Sequence, residues 1–153
     1  MKNSKKFFKT FYKIHDSLFI SGFISERNLD EAVELGITAI VNLMEFQGYD
    51  PRPKIAFLHA GYKDQIYVPR EILSEIFTFI EDQMKNGKVL VHCGQGVSRS
   101  GGIIIGRLLI EHPEWTWDDA LEFANKSRYI MPAQKIKKSI LDYLESIEGQ
   151  RRE

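Results

Sequence analysis

The most constraining feature of this chain is one passage that runs from an apolar segment, through a glycine-bearing loop, into a second apolar segment. Residues 88–92 end in His92, and Cys93 follows directly. Five residues, two of them glycines, separate Cys93 from Arg99, and residues 103–110 are again mostly apolar. This pattern predicts a buried strand, a tight loop and a helix. It places a thiol at the end of a strand and a guanidinium at the start of a helix.

A loop of this kind is suited to bind an oxyanion. Backbone N–H groups in a glycine-bearing loop before a helix point into its concavity. The same field favours the thiolate of Cys93, which is the nucleophilic form, and Arg99 adds a planar fork that matches two phosphate oxygens. A nucleophile at the floor of a phosphate site predicts phosphoryl transfer through a cysteinyl-phosphate. The residues expected to bind phosphate through backbone N–H groups are Gly94, Gln95, Gly96, Val97 and Ser98.

The two glycines of the loop have an expected role of their own. Without a Cβ atom, Gly94 and Gly96 relax the restriction on φ and let a phosphate approach the backbone. Two alternatives remain for the thiol. Cys93 could be an inert buried cysteine in a turn, or it could serve sulfur transfer of the rhodanese type. The arginine and glycines argue against the first, and the Arg-Ser ending argues against the second.

The pattern His-Cys-x5-Arg-Ser at residues 92–100 resembles the signature loop of protein tyrosine phosphatases. With Gly96 in the loop and a chain this short, it is most similar to the dual-specificity branch of the cysteine-dependent protein tyrosine phosphatase superfamily. The resemblance extends to residues 18–22, 35–43 and 128–132, and it departs at Ala133, where many members carry Asn. It implies a phosphatase that hydrolyses phosphotyrosine and phosphoserine or phosphothreonine.

Phosphate ester cleavage needs a general acid near the loop, because the leaving oxygen must be protonated. Asp64 is the preferred candidate, since it lies in a loop directly after a predicted strand. The resembling family carries its acid in the corresponding loop. Asp50 is the second candidate, whereas Asp82 is expected on the polar side of a helix. After the first transfer, Asp64 would act as a base and activate the water that hydrolyses the cysteinyl-phosphate.

Two further residues flank the loop. The resemblance implies that His92 orders the loop by hydrogen bonding, which differs little from the role of an ordinary core histidine. Ser100 could donate a hydrogen bond to the Cys93 sulfur, and it could cap the following helix as well. No metal or other cofactor is expected, because Arg99 and the loop dipoles supply the charge that Mg²⁺ supplies elsewhere. The four histidines also lack metal-ligand spacing.

The remainder of the chain alternates strands and helices. The patterns predict strands over 17–21, 37–43, 55–59 and 88–92, and helices over 25–35, 70–84, 100–111, 116–127 and 132–147. The predicted fold class is α/β, with a mostly parallel central sheet of about four to five strands flanked by about five to six helices. The signature loop then lies at the carboxyl end of a strand, where open sheets bind ligands. We divide the 153 residues into a basic aromatic segment 1–13, a catalytic domain 14–148 and a short polar tail 149–153.

Composition narrows the expected partners. The net charge is zero, which predicts no nucleic-acid or membrane partner from bulk charge. No segment approaches the ~18 apolar residues of a membrane helix. The single cysteine excludes an intrachain disulfide, and a reactive thiol lasts best in a reducing compartment, so we expect a cytoplasmic location. Residues 1–13 interleave lysines with aromatics, and could contact an anionic surface weakly or dock their aromatics onto the domain.

The expected depth and charge of the pocket indicate the substrate class. A chain this short has no room for the added loop that deepens the pocket of tyrosine-specific relatives, so phosphoserine and phosphothreonine should also fit. Residues 94–98 contain no basic side chain, which favours phosphoproteins over RNA 5′-phosphates and phosphoinositides, substrates that the same scaffold also serves. A phospho-binding module without turnover is the alternative from another class. Candidate rim residues are Phe46, Tyr67 and Met131.

Overall fold

The computed structural model describes residues 9–152. Its strands are β1 (Tyr12–His15), β2 (Leu18–Ser21), β3 (Ile37–Asn42), β4 (Ala56–His59) and β5 (Lys88–His92). They form one five-stranded sheet in the order β1-β2-β5-β3-β4. β1 is antiparallel to β2, and the other pairings are parallel. The predicted α/β class with a mostly parallel sheet is confirmed, and β5, which leads into the signature loop, lies at the centre of the sheet.

The helices are α1 (Leu29–Glu34), α2 (Arg70–Met84), α3 (Arg99–Glu111), α4 (Trp117–Asn125) and α5 (Gln134–Arg152). Each corresponds to a predicted helix, with differences at the ends. The first turn of the predicted helix over 25–35 is a 3₁₀ turn, where Ser25 and Asn28 close a capping box. α5 continues to Arg152, so residues 149–152 of the expected tail are helical.

β1 was not predicted as a strand. The structure places Tyr12 and Lys13, the last residues of the segment 1–13, within it. Phe11 is buried against the sheet, as the docking alternative for this segment expects. β1 mixes polar and apolar residues and has no apolar run, whereas β2 and β4, which are equally short, are mostly apolar. Residues 1–8, which carry most of the lysines of this segment, lie outside the described residues.

The sheet has an apolar core on each face. In β5, Val89 and Val91 belong to the core that α2 to α5 cover, whereas Leu90 belongs to the core that α1 covers. Side chains alternate between faces along a strand, so His92 follows Leu90 to the α1 side. Cys93 joins the core on the other side. The thiol and the imidazole therefore point to opposite faces of the sheet.

Within residues 9–152, no helix combines the length and the apolarity that crossing a bilayer requires.

Candidate active site

The loop between β5 and α3 borders a cleft of about 720 Å³ at the carboxyl end of the parallel strands. Cys93 and Arg99 both line this cleft, as their places at the ends of the loop predict. Cys93 is only 2% exposed, so the thiol is reached from within the cleft. We call residues 93–99 the signature loop. The other residues lining the cleft are Asp64, Gln65, Gln95, Val97, Ser98, Tyr129, Met131, Pro132, Ala133 and Gln134.

Gly96 is the loop position that requires glycine. Its φ is +72°, in the left-handed region that residues with a Cβ atom avoid. A Cβ atom there would also lie 2.7 Å from the backbone nitrogen of Gly22. The part of the expectation for Gly94 that concerns φ was wrong, because its φ is not positive. A Cβ atom at Gly94 would instead lie 3.2 Å from Nη2 of Arg99, so glycine there leaves room for the guanidinium.

Two hydrogen-bonding groups lie at the cysteine sulfur. The backbone nitrogen of Gly96 is 3.2 Å from Cys93 Sγ, and Ser100 Oγ is also 3.2 Å from it. The prediction that Ser100 contacts the sulfur agrees with this geometry. The alternative that Ser100 caps the helix was wrong, because α3 begins at Arg99 and Ser98 occupies the N-cap position. Both groups are placed to donate a hydrogen bond to the sulfur when it is ionised.

The carbonyl groups of the signature loop are bonded from outside. Arg128 donates from Nη2 to the carbonyl of Gln95 at 2.7 Å and from Nε to the carbonyl of Gly96 at 3.0 Å. The backbone N–H of Met131 donates to the carbonyl of Val97 at 3.0 Å. The C=O and N–H groups of a trans peptide unit point in opposite directions, so carbonyls held outwards leave N–H groups facing inwards. The sequence resemblance extends to residues 128–132 but does not identify these hydrogen bonds.

The predicted acid loop, residues 60–69, forms the facing side of the cleft. Asp64 lines the cleft, and its Oδ1 accepts a hydrogen bond from Ser98 Oγ at 2.6 Å. Arg99 donates from Nη1 to the carbonyl of Tyr62 at 3.1 Å, which joins the two loops a second time. Asp50 does not line the cleft, and Asp82 lies in a groove beside α2 and β4. Of the three acid candidates, only Asp64 lines the cleft together with Cys93.

The sequence of the domain that forms this cleft matches a known protein family. Residues 18–146 match the family model for the dual specificity phosphatase catalytic domain. The match covers most of the chain, including both loops of the cleft. The protein belongs to the dual-specificity phosphatase family. This assignment confirms the resemblance found in the sequence and decides against sulfur transfer of the rhodanese type.

Individual relatives agree. Protein phosphatase Slingshot of Drosophila melanogaster is 29% identical over 90% of this chain and 13% of its own length. A MAP kinase phosphatase with leucine-rich repeats (protein 3) of Dictyostelium discoideum is 30% identical over 86% of this chain and 16% of its own. The chain thus spans less than a fifth of these two relatives. A crystal structure of a mutant form of Tk-PTP is 25% identical, with a TM-score of 0.78 over 91% of this chain and 97% of that one.

His92 of this phosphatase domain lies behind the signature loop, outside the cleft. The side chain is fully buried, and its Nε2 is 2.7 Å from Tyr49 Oη. Burial lowers the pKa of His92 to about 4, so the ring is neutral at pH 7. A buried neutral ring agrees with a structural role. Tyr49 was not found from the sequence, because it lies in a loop 43 residues away and no local pattern marks it.

The predicted rim residues separate into two groups. Met131 lines the cleft and is 51% exposed. Tyr67 instead borders a smaller groove beside α5, where its hydroxyl donates to Asp142 at 2.6 Å. Phe46 is exposed but does not line the cleft. Tyr129 lines the cleft and is 62% exposed, although it was not among the predicted rim residues.

In the part of the chain that the structure describes, no three His, Cys, Asp or Glu side chains form a cluster suited to hold a metal ion.

Proposed function

We propose that this phosphatase domain hydrolyses phosphotyrosine and phosphoserine or phosphothreonine in proteins through a cysteinyl-phosphate. The observation that supports this most directly is that Cys93, Arg99 and Asp64 line one cleft. They come from the end of a strand, the start of a helix and a separate loop. The three supply the nucleophile, the charge and the proton that phosphoryl transfer needs.

In the first step, the Cys93 thiolate attacks phosphorus. A sulfur–phosphorus bond forms while the bond from phosphorus to the side-chain oxygen breaks. Arg99 and the N–H groups of residues 94–98 bind the non-bridging oxygens and stabilise the charge that develops on them. Asp64 gives its proton to the departing oxygen, so the tyrosine, serine or threonine side chain leaves as a neutral hydroxyl.

In the second step, the ionised Asp64 accepts a proton from water. The water oxygen attacks phosphorus, and the sulfur–phosphorus bond breaks to release inorganic phosphate and the thiolate. Ser100 Oγ, 3.2 Å from the sulfur, donates to that thiolate as it leaves. His92 takes no part in proton transfer, since it is buried outside the cleft and hydrogen-bonded to Tyr49. The net reaction consumes one ester and one water, and yields one alcohol and one phosphate.

Phosphoproteins are the proposed substrates because the loop between Cys93 and Arg99 carries no basic side chain, and because Met131 and Tyr129 offer apolar surface at the rim. RNA 5′-phosphates and phosphoinositides are the alternative substrates of the same mechanism, and the lysines of residues 1–13 would then contact the anionic RNA or lipid surface weakly. A phospho-binding module without turnover is the second alternative. A cytoplasmic location is proposed because a single reactive cysteine persists best under reducing conditions.

The test measures phosphate release from a phosphotyrosine peptide, a phosphothreonine peptide and a 5′-triphosphorylated RNA, with EDTA present. Wild type is compared with Cys93→Ser, and phosphate binding is measured on both proteins. We expect release from both peptides by the wild type and none by Cys93→Ser, which still binds phosphate. Release from RNA alone would favour the nucleic-acid alternative. Binding without release from any substrate would favour the phospho-binding module.

A further inference from the structure

Ser98 carries a hydroxyl group that phosphate binding does not use, since that role needs only its backbone N–H. Ser98 Oγ is 2.6 Å from Asp64 Oδ1 and 3.0 Å from the backbone nitrogen of Ala133. The N–H of Ala133 can only donate, so Ser98 Oγ accepts that bond. The one proton of the hydroxyl then points at Asp64. An ionised carboxylate can only accept, so the hydroxyl donates to Asp64 Oδ1.

The position of Ser98 in the helix supports the same conclusion. Ser98 is the N-cap residue of α3, where a serine side chain ordinarily accepts a bond from an N–H in the first turn. Its side chain makes no such bond in this structure. The hydroxyl is directed instead across the cleft to the acid loop.

Asp64 needs support from outside its own loop. Its side chain is exposed, and its other hydrogen bond is the local one from the N–H of Gln65 at 2.8 Å. Gln65 has a φ of +61°, which strains a residue other than glycine. Both hydrogen bonds to Asp64 fall on Oδ1. Oδ2 is therefore the oxygen that we assign to proton transfer.

We infer that Ser98 is a positioning residue, whose hydroxyl holds the Asp64 carboxyl over the phosphate site with Oδ2 turned to the leaving oxygen. The inference rests on the proposed function, because it requires Asp64 to be the general acid. Loss of the hydroxyl should reduce catalysis where the leaving oxygen needs a proton. Esters with good leaving groups, which depart as stable anions, should be affected less.

The experiment measures kcat and KM for a series of aryl phosphates with leaving groups of increasing basicity, and for a phosphoserine peptide. The variants are Ser98→Ala, Ser98→Thr, Asp64→Asn and the double variant Ser98→Ala with Asp64→Asn. Ser74→Ala on α2 is the matched control for a serine-to-alanine change far from the cleft. The dissociation constant for inorganic phosphate reports whether the signature loop is intact in each protein.

We expect the loss of kcat in Ser98→Ala to be roughly tenfold larger for the most basic leaving group than for the least basic one, the size of one charge-assisted hydrogen bond. Ser98→Thr, which keeps a hydroxyl, should restore most of that difference. In the Asp64→Asn background, Ser98→Ala should add no leaving-group dependence, because the two residues act as one unit.

Two results would overturn the inference while the proposed function stands. One is an equal loss in Ser98→Ala across the whole series. The other is a leaving-group-dependent loss that persists in the Asp64→Asn background. A different result would count against the proposed function itself: Asp64→Asn shows no dependence on the leaving group, so Asp64 is not the acid. The dependence of Asp64→Asn therefore separates the two failures.

Discussion

The two loops that form the cleft are held in place by different kinds of contact. The signature loop continues directly from the central strand into α3, and Arg128 and Met131 bond its carbonyls from outside. The acid loop is bonded to the end of β3 only at its start, through the backbone N–H groups of residues 60 and 62. Its cleft side is held by contacts from the signature loop, Ser98 to Asp64 and Arg99 to Tyr62. The half that binds phosphate is thus built into the sheet. The half proposed to supply the proton is anchored to the sheet at its start, and its Asp64 is bonded from outside the loop across the cleft.

The two loops are also expected to affect different parts of the reaction. Changes in the signature loop should affect all substrates alike, because every ester presents the same phosphate group to it. Changes in the acid loop should depend on the leaving oxygen, because only that oxygen receives the proton. Variants of each loop can therefore be distinguished by the substrate series.

The largest effect is expected at Arg99, which belongs to the signature loop and also bonds the acid loop. In Arg99→Lys, the ammonium cannot make the bidentate contact to two phosphate oxygens. We expect kcat/KM to fall roughly 10²–10³-fold, as for the loss of one transition-state donor. Steady-state kinetics with Arg70→Lys, an exposed residue of α2, as the control would check this. Near-wild-type activity of Arg99→Lys would reject the bidentate contact.

The next largest effect is expected for His92, the last residue of β5, which directly precedes the signature loop. Burial lowers the pKa of His92 to about 4, below its ordinary value of 6.5. The unfolded chain therefore binds this proton at a higher pH than the folded one. Stability from neutral His92 is fully present above about pH 6.5 and is lost as the pH falls to about 4, by roughly 3 kcal/mol in total.

Urea unfolding between pH 4 and pH 7 would check this pH dependence. The free energy of unfolding should rise with pH over that range. Because His92→Gln lacks this titrating group, its slope should be smaller by an amount that corresponds to at most one bound proton. An identical slope in wild type and His92→Gln would show that His92 is not held neutral by the fold.

A smaller effect is expected for the carbonyl contacts of Arg128. Arg128→Gln removes the bonds to Gln95 and Gly96, and the dissociation constant for inorganic phosphate should rise roughly tenfold. Lys126→Gln removes the same charge nearby from an exposed side chain, and is the control for screening alone. Isothermal titration with phosphate would separate the two. Equal losses in both variants would mean that charge, rather than loop shape, accounts for the effect.

The smallest effect is expected for Tyr67→Phe, at the end of the acid loop. This variant removes the exposed hydrogen bond to Asp142, and the free energy of unfolding should change by less than about 0.5 kcal/mol. The leaving-group dependence of kcat should also change little. If kcat for basic leaving groups fell as in Ser98→Ala, the anchoring of the acid loop would extend to α5.

Much of the fold was predictable because its signals are local. β5, the signature loop and α3 follow one another in sequence, and the apolar run, the glycines and the second apolar run mark each in turn. The helix over residues 70–84 was found with its observed ends, because its apolar positions repeat at helical spacing. β1 was missed because its polar residues leave no apolar run, whereas the equally short β2 and β4 are mostly apolar. The expectation for φ at Gly94 was wrong, because glycine at that position makes room for Arg99 rather than for a turn.

The sequence by itself determined the family, the α/β class, the strand that ends just before Cys93 and the helix that begins at Arg99. The tertiary structure alone decided which side chains meet them. Ser98 lies 34 residues from Asp64, Tyr49 lies 43 residues from His92, and Arg128 lies 32 residues from Gly96. A periodic pattern records only which face of its own strand or helix a residue occupies. Contacts between loops depend on how the sheet brings those faces together, and no spacing within the chain encodes that.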